Sequence, residues 1–450
     1  VNVPNMVIVA VGAGGQISLF NESGNTHLLV DVLGWFPTTT VGASTIRASV
    51  KTGGANAEGG SDTSSVSADG RYVVYQSTAT DLVAGDTNGT GDIFLFDRQT
   101  VTTTRVSVDS ANGQANGEST DPMISANGRY VVFASFADNI GIVPDTNSAR
   151  DVYVRDLQLS LTYRVSVGAA GVQAIGHSSL PTISDDGQFI SFISTASNLV
   201  GALDTNGFND VFVRDQFNSV TTRVSVSTAG VQADAQSDRP KISGNGRYVS
   251  FASFATNLVA DDTSLQYDIF VRDRTLNTTT RVSVSSAGVE QNSGSLDNAI
   301  SGDGRYVIFR TDSTNLVAGD TNLKADIFRH DSVTGITVRV SVDSAGGQLN
   351  QDSDVPSISA DGRYILFETF AAFVPGDTNN NYDVFVHDMF DATTVRVGVS
   401  TAGTESVFGT ARGSISANGR FVTFYSSGGD LVTGDTNAFN DVFLRDRGTV

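Results

Sequence analysis

The chain has 450 residues and a formal charge of −20, with 48 acidic side chains against 28 basic ones. So acidic a balance, with three Lys, disfavours nucleic acid and anionic membrane as partners, because both need clustered cations. With no cysteine, disulfides, thiolate metal centres and cysteine nucleophiles are excluded.

In chain order, residues 1–38 read as three strands that end at Trp35 and Phe36. Three strands rich in apolar side chains do not hold together alone, and the segment is expected to pack on something else or to self-assemble. The longest apolar runs fall far short of the ~20 residues that cross a bilayer, so no membrane insertion is expected. "TIRASV", Thr45 to Val50, follows as an isolated strand.

Beyond it one phrase returns seven times: "SADGRY" at Ser67, then relatives of it at Ser125, Ser184, Ser243, Ser301, Ser359 and Ser416. Its glycine (70, 128, 187, 246, 304, 362, 419) recurs every 57 to 59 residues, the mark of a repeat architecture. The second unit shows the content: "PMIS", a tight "ANG" turn, "RYVVFAS", a long loop, "DVYVRD", a short turn and "YRVSV". Four strands per repeat is the make-up of a propeller blade, and no stretch carries helical periodicity. The fold class is all-β with almost no helix.

The outer-strand phrase "RVSV" or "RVGV" starts at Arg105, Arg164, Arg223, Arg281, Arg339 and Arg396, while the last unit stops at "DVFLRDRGTV" without one. Thr45 to Val50 is predicted to supply the missing strand and close the ring, which removes both open sheet edges. The expected organisation is a short N-terminal β segment, residues 1–38, and a seven-bladed β-propeller, residues 39–450.

"SADGRYVVYQS" and "DIFVRD" resemble TolB-like and WD-like propeller repeats, whose inner hairpin carries Ser-Pro-Asp-Gly; here Ala, Asp or Gly replaces that Pro and no Trp-Asp pair occurs. The resemblance covers about nine tenths of the chain and implies the fold, not an activity. "NMVIVAVGAGGQISLFNESGNTHLLVDVLGWF" resembles the end of a β domain of secreted and cell-surface actinobacterial proteins, which implies an extracellular or cell-surface location and a chain that begins inside that domain.

WD-type blades need ~40 to 45 residues, and the surplus here lies in two loops that share one rim. That rim carries a phrase with oxygen side chains at alternate positions and a further Asp. Its copies are Asp86, Asn88, Asp92; Asp145, Asn147, Asp151; Asp204, Asn206, Asp210; Asp262, Ser264, Asp268; Asp320, Asn322, Asp326; Asp377, Asn379, Asp383; and Asp435, Asn437, Asp441. Three or four such oxygens, completed by carbonyls and water, suit calcium, and these residues are the candidate metal ligands; the alternative is a set of Asx turns. A further Asp five residues on, such as Asp97, is separated by a strand that places it ~16 Å away on the opposite rim, where it is expected to cap a turn or pair with a neighbouring Arg.

Signals of catalysis are poor. The four His are scattered, those at 330 and 387 replacing a repeated Arg, and no serine-nucleophile elbow, zinc-binding helix or phosphate loop occurs. The sequence therefore points to an extracellular, non-enzymatic binding or scaffold module with calcium in its rim loops, taking a protein or cell-surface polymer as partner. The alternatives are a structural subunit of a surface layer or filament assembled through residues 1–38, and a hydrolase or lyase acting at the central funnel.

Overall fold

A computed structural model describes residues 42–201 and 204–448. The three strands expected in residues 1–38, and self-assembly through them, lie outside the described residues.

Each repeat forms one four-stranded antiparallel sheet, and there are seven. In the first blade the strands run from inside to outside as Ser61–Val66, Tyr72–Ser77, Asp92–Asp97 and Thr102–Arg105. The second and third strands are apolar on both faces because each blade is covered by its neighbours on both sides. Every blade stacks one aromatic of its second strand on one of its third, from Tyr75 on Phe94, with ring centroids 6.0 Å apart, to Phe424 on Phe443 at 5.8 Å. The turn between the first two strands needs Gly70, at φ +68°, where a Cβ would also strike the Phe421 ring of the neighbouring blade.

The ring closes as predicted. Ser44–Arg47 pairs antiparallel with Asp441–Asp446, Ser44 opposite Asp446 and Arg47 opposite Phe443, and so becomes the outer strand of blade seven. The strand stops at Arg47, short of the expected Val50. In every blade the ladder ends at this arginine, and in six of them a serine hydroxyl then replaces the backbone: Ser107 Oγ accepts the Ile93 N–H at 3.1 Å. The phrase "RVSV" therefore marks where the outer strand ends and the chain turns into the inter-blade loop. The helical content described is one 3-10 turn, Ala169–Gly171.

Asp97 lies on the opposite rim. Arg71 grips it through Nε and Nη2, at 3.1 and 2.7 Å, and lies over the Tyr72 ring at 4.7 Å. The same clasp recurs at Arg129–Asp156, Arg247–Asp273, Arg305–Asp331, Arg363–Asp388 and Arg420–Asp446. In blade three Gln188 holds Asp215 instead. His330 and His387 are buried against Thr337 and Thr394 hydroxyls at 2.9 and 2.8 Å, in keeping with a structural part.

Candidate functional site

The loop-side rim of each blade holds one polar cluster, built from three separate stretches of chain. In blade one the long loop supplies Asp86 and Asn88, the start of the third strand Asp92, the end of the outer strand Arg105, and the inter-blade loop Gln114. Arg105 lies 3.3 Å from Asp86 and 3.6 Å from Asp92. Gln114 Nε2 donates to both carboxylates, at 2.8 and 3.4 Å, and Asn88 Nδ2 donates to Asp92 at 3.0 Å. Asn88 Oδ1, the oxygen a metal would use, accepts the Thr90 N–H at 3.1 Å in an Asx turn.

Blades two, three and five repeat the set. Arg164, Arg223 and Arg339 lie between Asp145 and Asp151, Asp204 and Asp210, and Asp320 and Asp326. Gln173, Gln232 and Gln348 bridge the same pairs. Asn147, Asn206 and Asn322 each turn Oδ1 to a backbone N–H two residues on, as do Asn379 and Asn437. In blade seven the closing strand brings Arg47, 2.8 Å from Asp435 and 3.3 Å from Asp441. The persistence of the alternating oxygens thus has a structural account without an ion: a guanidinium is the counter-ion and amide N–H groups take the remaining lone pairs.

Two clusters differ in composition. Glu290 and Glu405 stand where the other blades carry an amide, and each receives the arginine of its blade, Arg281 at 2.8 Å and Arg396 at 2.6 Å. The acidic oxygens of Asp262, Asp268 and Glu290 lie within 4.8 Å of one another, as do those of Asp377, Asp383 and Glu405. The sequence reading missed the Gln and Glu members of the rim; the recurrent arginines of "TRVSV", read there as pairing with Asp across strands, do so. The recurrence of Gln or Glu six residues after the second valine of "RVSV" or "RVGV" was the signal that could have found them.

The inner strands are the other distinct region. Successive inner strands touch around the whole ring, so a partly exposed side chain on them faces the central channel. Their first residue is a buried Ser in six blades, but their middle residues follow no repeat: Asp62 and Thr63, then Asp121, Leu180, Arg239 and Lys241, Asp297, Val355 and Arg412. A bulge in each strand separates these positions, with positive φ at Thr63, Asp121, Leu180, Arg239, Val355 and Arg412. Arg239 pairs with Asp297, and Arg310 with Asp354 of the following blade. Among the described residues, Lys241 and Arg412 have no carboxylate within ion-pair distance.

No protein-family model matches this chain, and no curated protein does. Solved structures do. An oligogalacturonate lyase in complex with manganese is 12% identical, with a TM-score of 0.53 over 91% of this chain and 97% of that one. The oligogalacturonate lyase of Vibrio parahaemolyticus is 10% identical, with a TM-score of 0.52 over 91% and 98%. A putative TolB from Agrobacterium tumefaciens is 15% identical over 68% and 87%, with a TM-score of 0.40. Likeness at such identities is one of fold. This chain is a seven-bladed β-propeller. The same fold houses enzymes among these proteins, so activity must be argued from the sites themselves.

The propeller's rim clusters are electrostatically tense. The first Asp of each third strand is fully buried, and burial pushes its carboxyl up despite the arginine: to about 7 for Asp151 and Asp383, and in the same direction for Asp92, Asp210, Asp268, Asp326 and Asp441. Asp262 rises to about 6 through burial and the neighbouring Asp268 charge. On the clasp side the balance reverses: against the upward push of burial, Arg363 and backbone N–H groups bring Asp388 down to about 2. In the channel, burial and the adjacent Arg239 lower the Lys241 ammonium, with Asp121 opposing them.

Proposed function

We propose that this propeller is an exported binding module that performs no reaction of its own, and that its ligand enters the central channel from the long-loop face. One contrast carries the reading. The rim groups recur blade after blade and pair with one another, whereas the channel groups vary from blade to blade, as a site for one ligand requires. The channel cations Arg239, Lys241, Arg310 and Arg412 come from blades four, five and seven; Arg239 and Arg310 are paired with Asp297 and Asp354, and the carboxylates Asp62 and Asp121 come from blades one and two. At the ends of the long loops of blades four and six, Phe254 meets Tyr267 and Phe370 meets Tyr382. Mixed charge beside aromatic faces suits a protein segment or a cell-surface polymer, the partner class the sequence suggests.

Against a reaction, the two buried His are tied to threonines and the chain offers no thiol. The experiment is a peptide and glycan array probed with the labelled chain, followed by mass spectrometry of any bound ligand. Binding that falls about tenfold or more in Lys241→Ala, with the ligand's mass unchanged, supports the module. A new product supports the hydrolase or lyase alternative and overturns it, as does binding indifferent to Lys241→Ala and Arg412→Ala.

A further inference from the structure

Blade four's rim cluster is chemically unlike the other six. Elsewhere amide N–H groups cover the carboxylates: Asn88 and Gln114 both donate to Asp92, and blades two, three, five and six each have a counterpart of at least one such donor; blade seven keeps both amides, Asn437 and Asn56, turned to neighbouring carbonyls. In blade four both amides are replaced at once, Asn by Ser264 and Gln by Glu290. Both amides are thus replaced by oxygen groups at a single point: Ser264 Oγ still donates to Asp268 at 3.3 Å, while Glu290 brings a third carboxylate in place of an amide donor, and every side chain of the loop set now ends in oxygen.

The consequence is visible on Asp262. Its side chain is 3% exposed, yet Oδ1 has no hydrogen-bond partner, with only Arg281 Nη1 near it, at 3.4 Å. Arg281 is shared further, 2.8 Å from Glu290 and 3.7 Å from Asp268, and its Nη2 donates to the Asp261 carbonyl at 2.9 Å. Three carboxylates against one guanidinium leave two negative charges in a largely buried space, where blades with two carboxylates leave one. A divalent cation is the species that neutralises such a set.

We propose that Asp262, Ser264, Asp268 and Glu290 form a single calcium site in blade four. The donors are all hard oxygens, as calcium requires. Their acidic oxygens lie within 4.8 Å of one another, and two oxygens on opposite sides of a calcium ion bound at ~2.4 Å stand about 4.8 Å apart; magnesium, at ~2.1 Å with strict octahedral geometry, fits such a spread less well. Arg281 holds the ligands together before the ion arrives and withdraws toward the Asp261 carbonyl when it binds. Blade six, with Glu405, keeps Asn379 donating to Asp383 at 3.1 Å, and although its Asp377 also accepts no hydrogen bond, with Arg396 3.5 Å away, no oxygen there is as fully enclosed as Asp262 Oδ1. It is the internal control. The site stands or falls separately from the binding-module reading.

The test is isothermal titration of the EDTA-stripped full chain with calcium chloride alone. One ion per chain is expected, with affinity reduced about tenfold or more in Glu290→Gln and unchanged in Glu405→Gln. Equal melting temperatures of wild type and Glu290→Gln in EDTA show that the variant folds. A gain-of-site variant makes the test independent of loss: Asn206→Ser with Gln232→Glu in blade three should raise the stoichiometry to two. No calcium uptake, uptake indifferent to Glu290→Gln, or loss in Glu405→Gln alone would overturn the assignment.

Discussion

Ser107 and Asp92, fifteen residues apart, are joined by a 2.6 Å hydrogen bond from the serine hydroxyl to the carboxylate, while the same Oγ accepts the Ile93 N–H. The pair recurs as Ser166–Asp151, Ser225–Asp210, Ser283–Asp268, Ser341–Asp326 and Ser49–Asp441. It ties the end of the outer strand to the start of the third and supplies a donor to a fully buried carboxylate. Ser107→Ala leaves both a buried N–H and a buried carboxylate short of a partner, at a cost of about 1–3 kcal/mol. A urea midpoint equal to that of wild type would show that the hydroxyl is dispensable.

Blade six breaks this rule and repairs it from another strand. Gly398 stands where the serine should be, and Thr410, just before the next inner strand, donates to Asp383 at 3.3 Å and accepts the Val384 N–H at 3.0 Å. A Cβ at 398 would collide with the Thr410 hydroxyl. Gly398→Ser alone is therefore destabilising, by about 1–3 kcal/mol for an overpacked core. Gly398→Ser with Thr410→Ser recreates the arrangement of the other blades and should recover most of the loss. Additive destabilisation in the double variant would refute the exchange.

Such pairings explain what the sequence could and could not tell. Closure was legible because six outer-strand phrases served seven inner strands, and only Thr45 to Val50 lay free to fill the gap. The rim aspartates were legible by spacing. The full set of their partners was not: Arg105 and Gln114 follow Asp92 by 13 and 22 residues, and only the folding of the inter-blade loop over the rim brings all three together. The channel set was hidden for another reason. A bulge at the third residue of each inner strand shifts the period-two alternation, so the side chains facing the axis could not be picked from those facing a neighbouring blade.

The outer strands are exposed edges, and hydroxyls blunt them. Thr337 N donates to Ser286 Oγ at 2.9 Å, and Ser286 Oγ donates to the Thr337 carbonyl at 3.3 Å, so one side chain from the preceding loop imitates a fifth strand. Thr52, Thr228, Ser344 and Thr401 do the same for other outer strands. Blade three has Ala169 at that position, with no hydroxyl to offer Thr221. Ser286→Ala should therefore lower stability by about 1 kcal/mol and raise the aggregation rate on mild heating, while Ala169→Ser slows aggregation. Light scattering during a thermal ramp reads both, and identical onset temperatures for the three proteins would remove this role.

The two rims oppose each other in their response to acid. Asp151 and Asp383, raised by burial to about 7 when folded against an ordinary value near 3.8, take up protons below neutrality that the unfolded chain does not. Their folded pKa lies above the unfolded one, so stability is lost as pH rises through about 4 to 7 and regained on acidification across the same window. Asp388 behaves oppositely: held at about 2 by Arg363 against burial, it contributes stability above pH 3.8 that disappears as pH falls toward 2. The urea midpoint, measured in EDTA, should thus be higher at about pH 5 than at about pH 7.5 and fall again below about pH 3.5. Asp383→Asn, which carries no proton to titrate, should flatten the limb between about pH 5 and 7.5, and Arg363→Ala the acid limb. A midpoint that instead climbs steadily from pH 5 to 7.5 would mean that the buried aspartates stay fully ionised beside their arginines, with the guanidinium outweighing the loss of water.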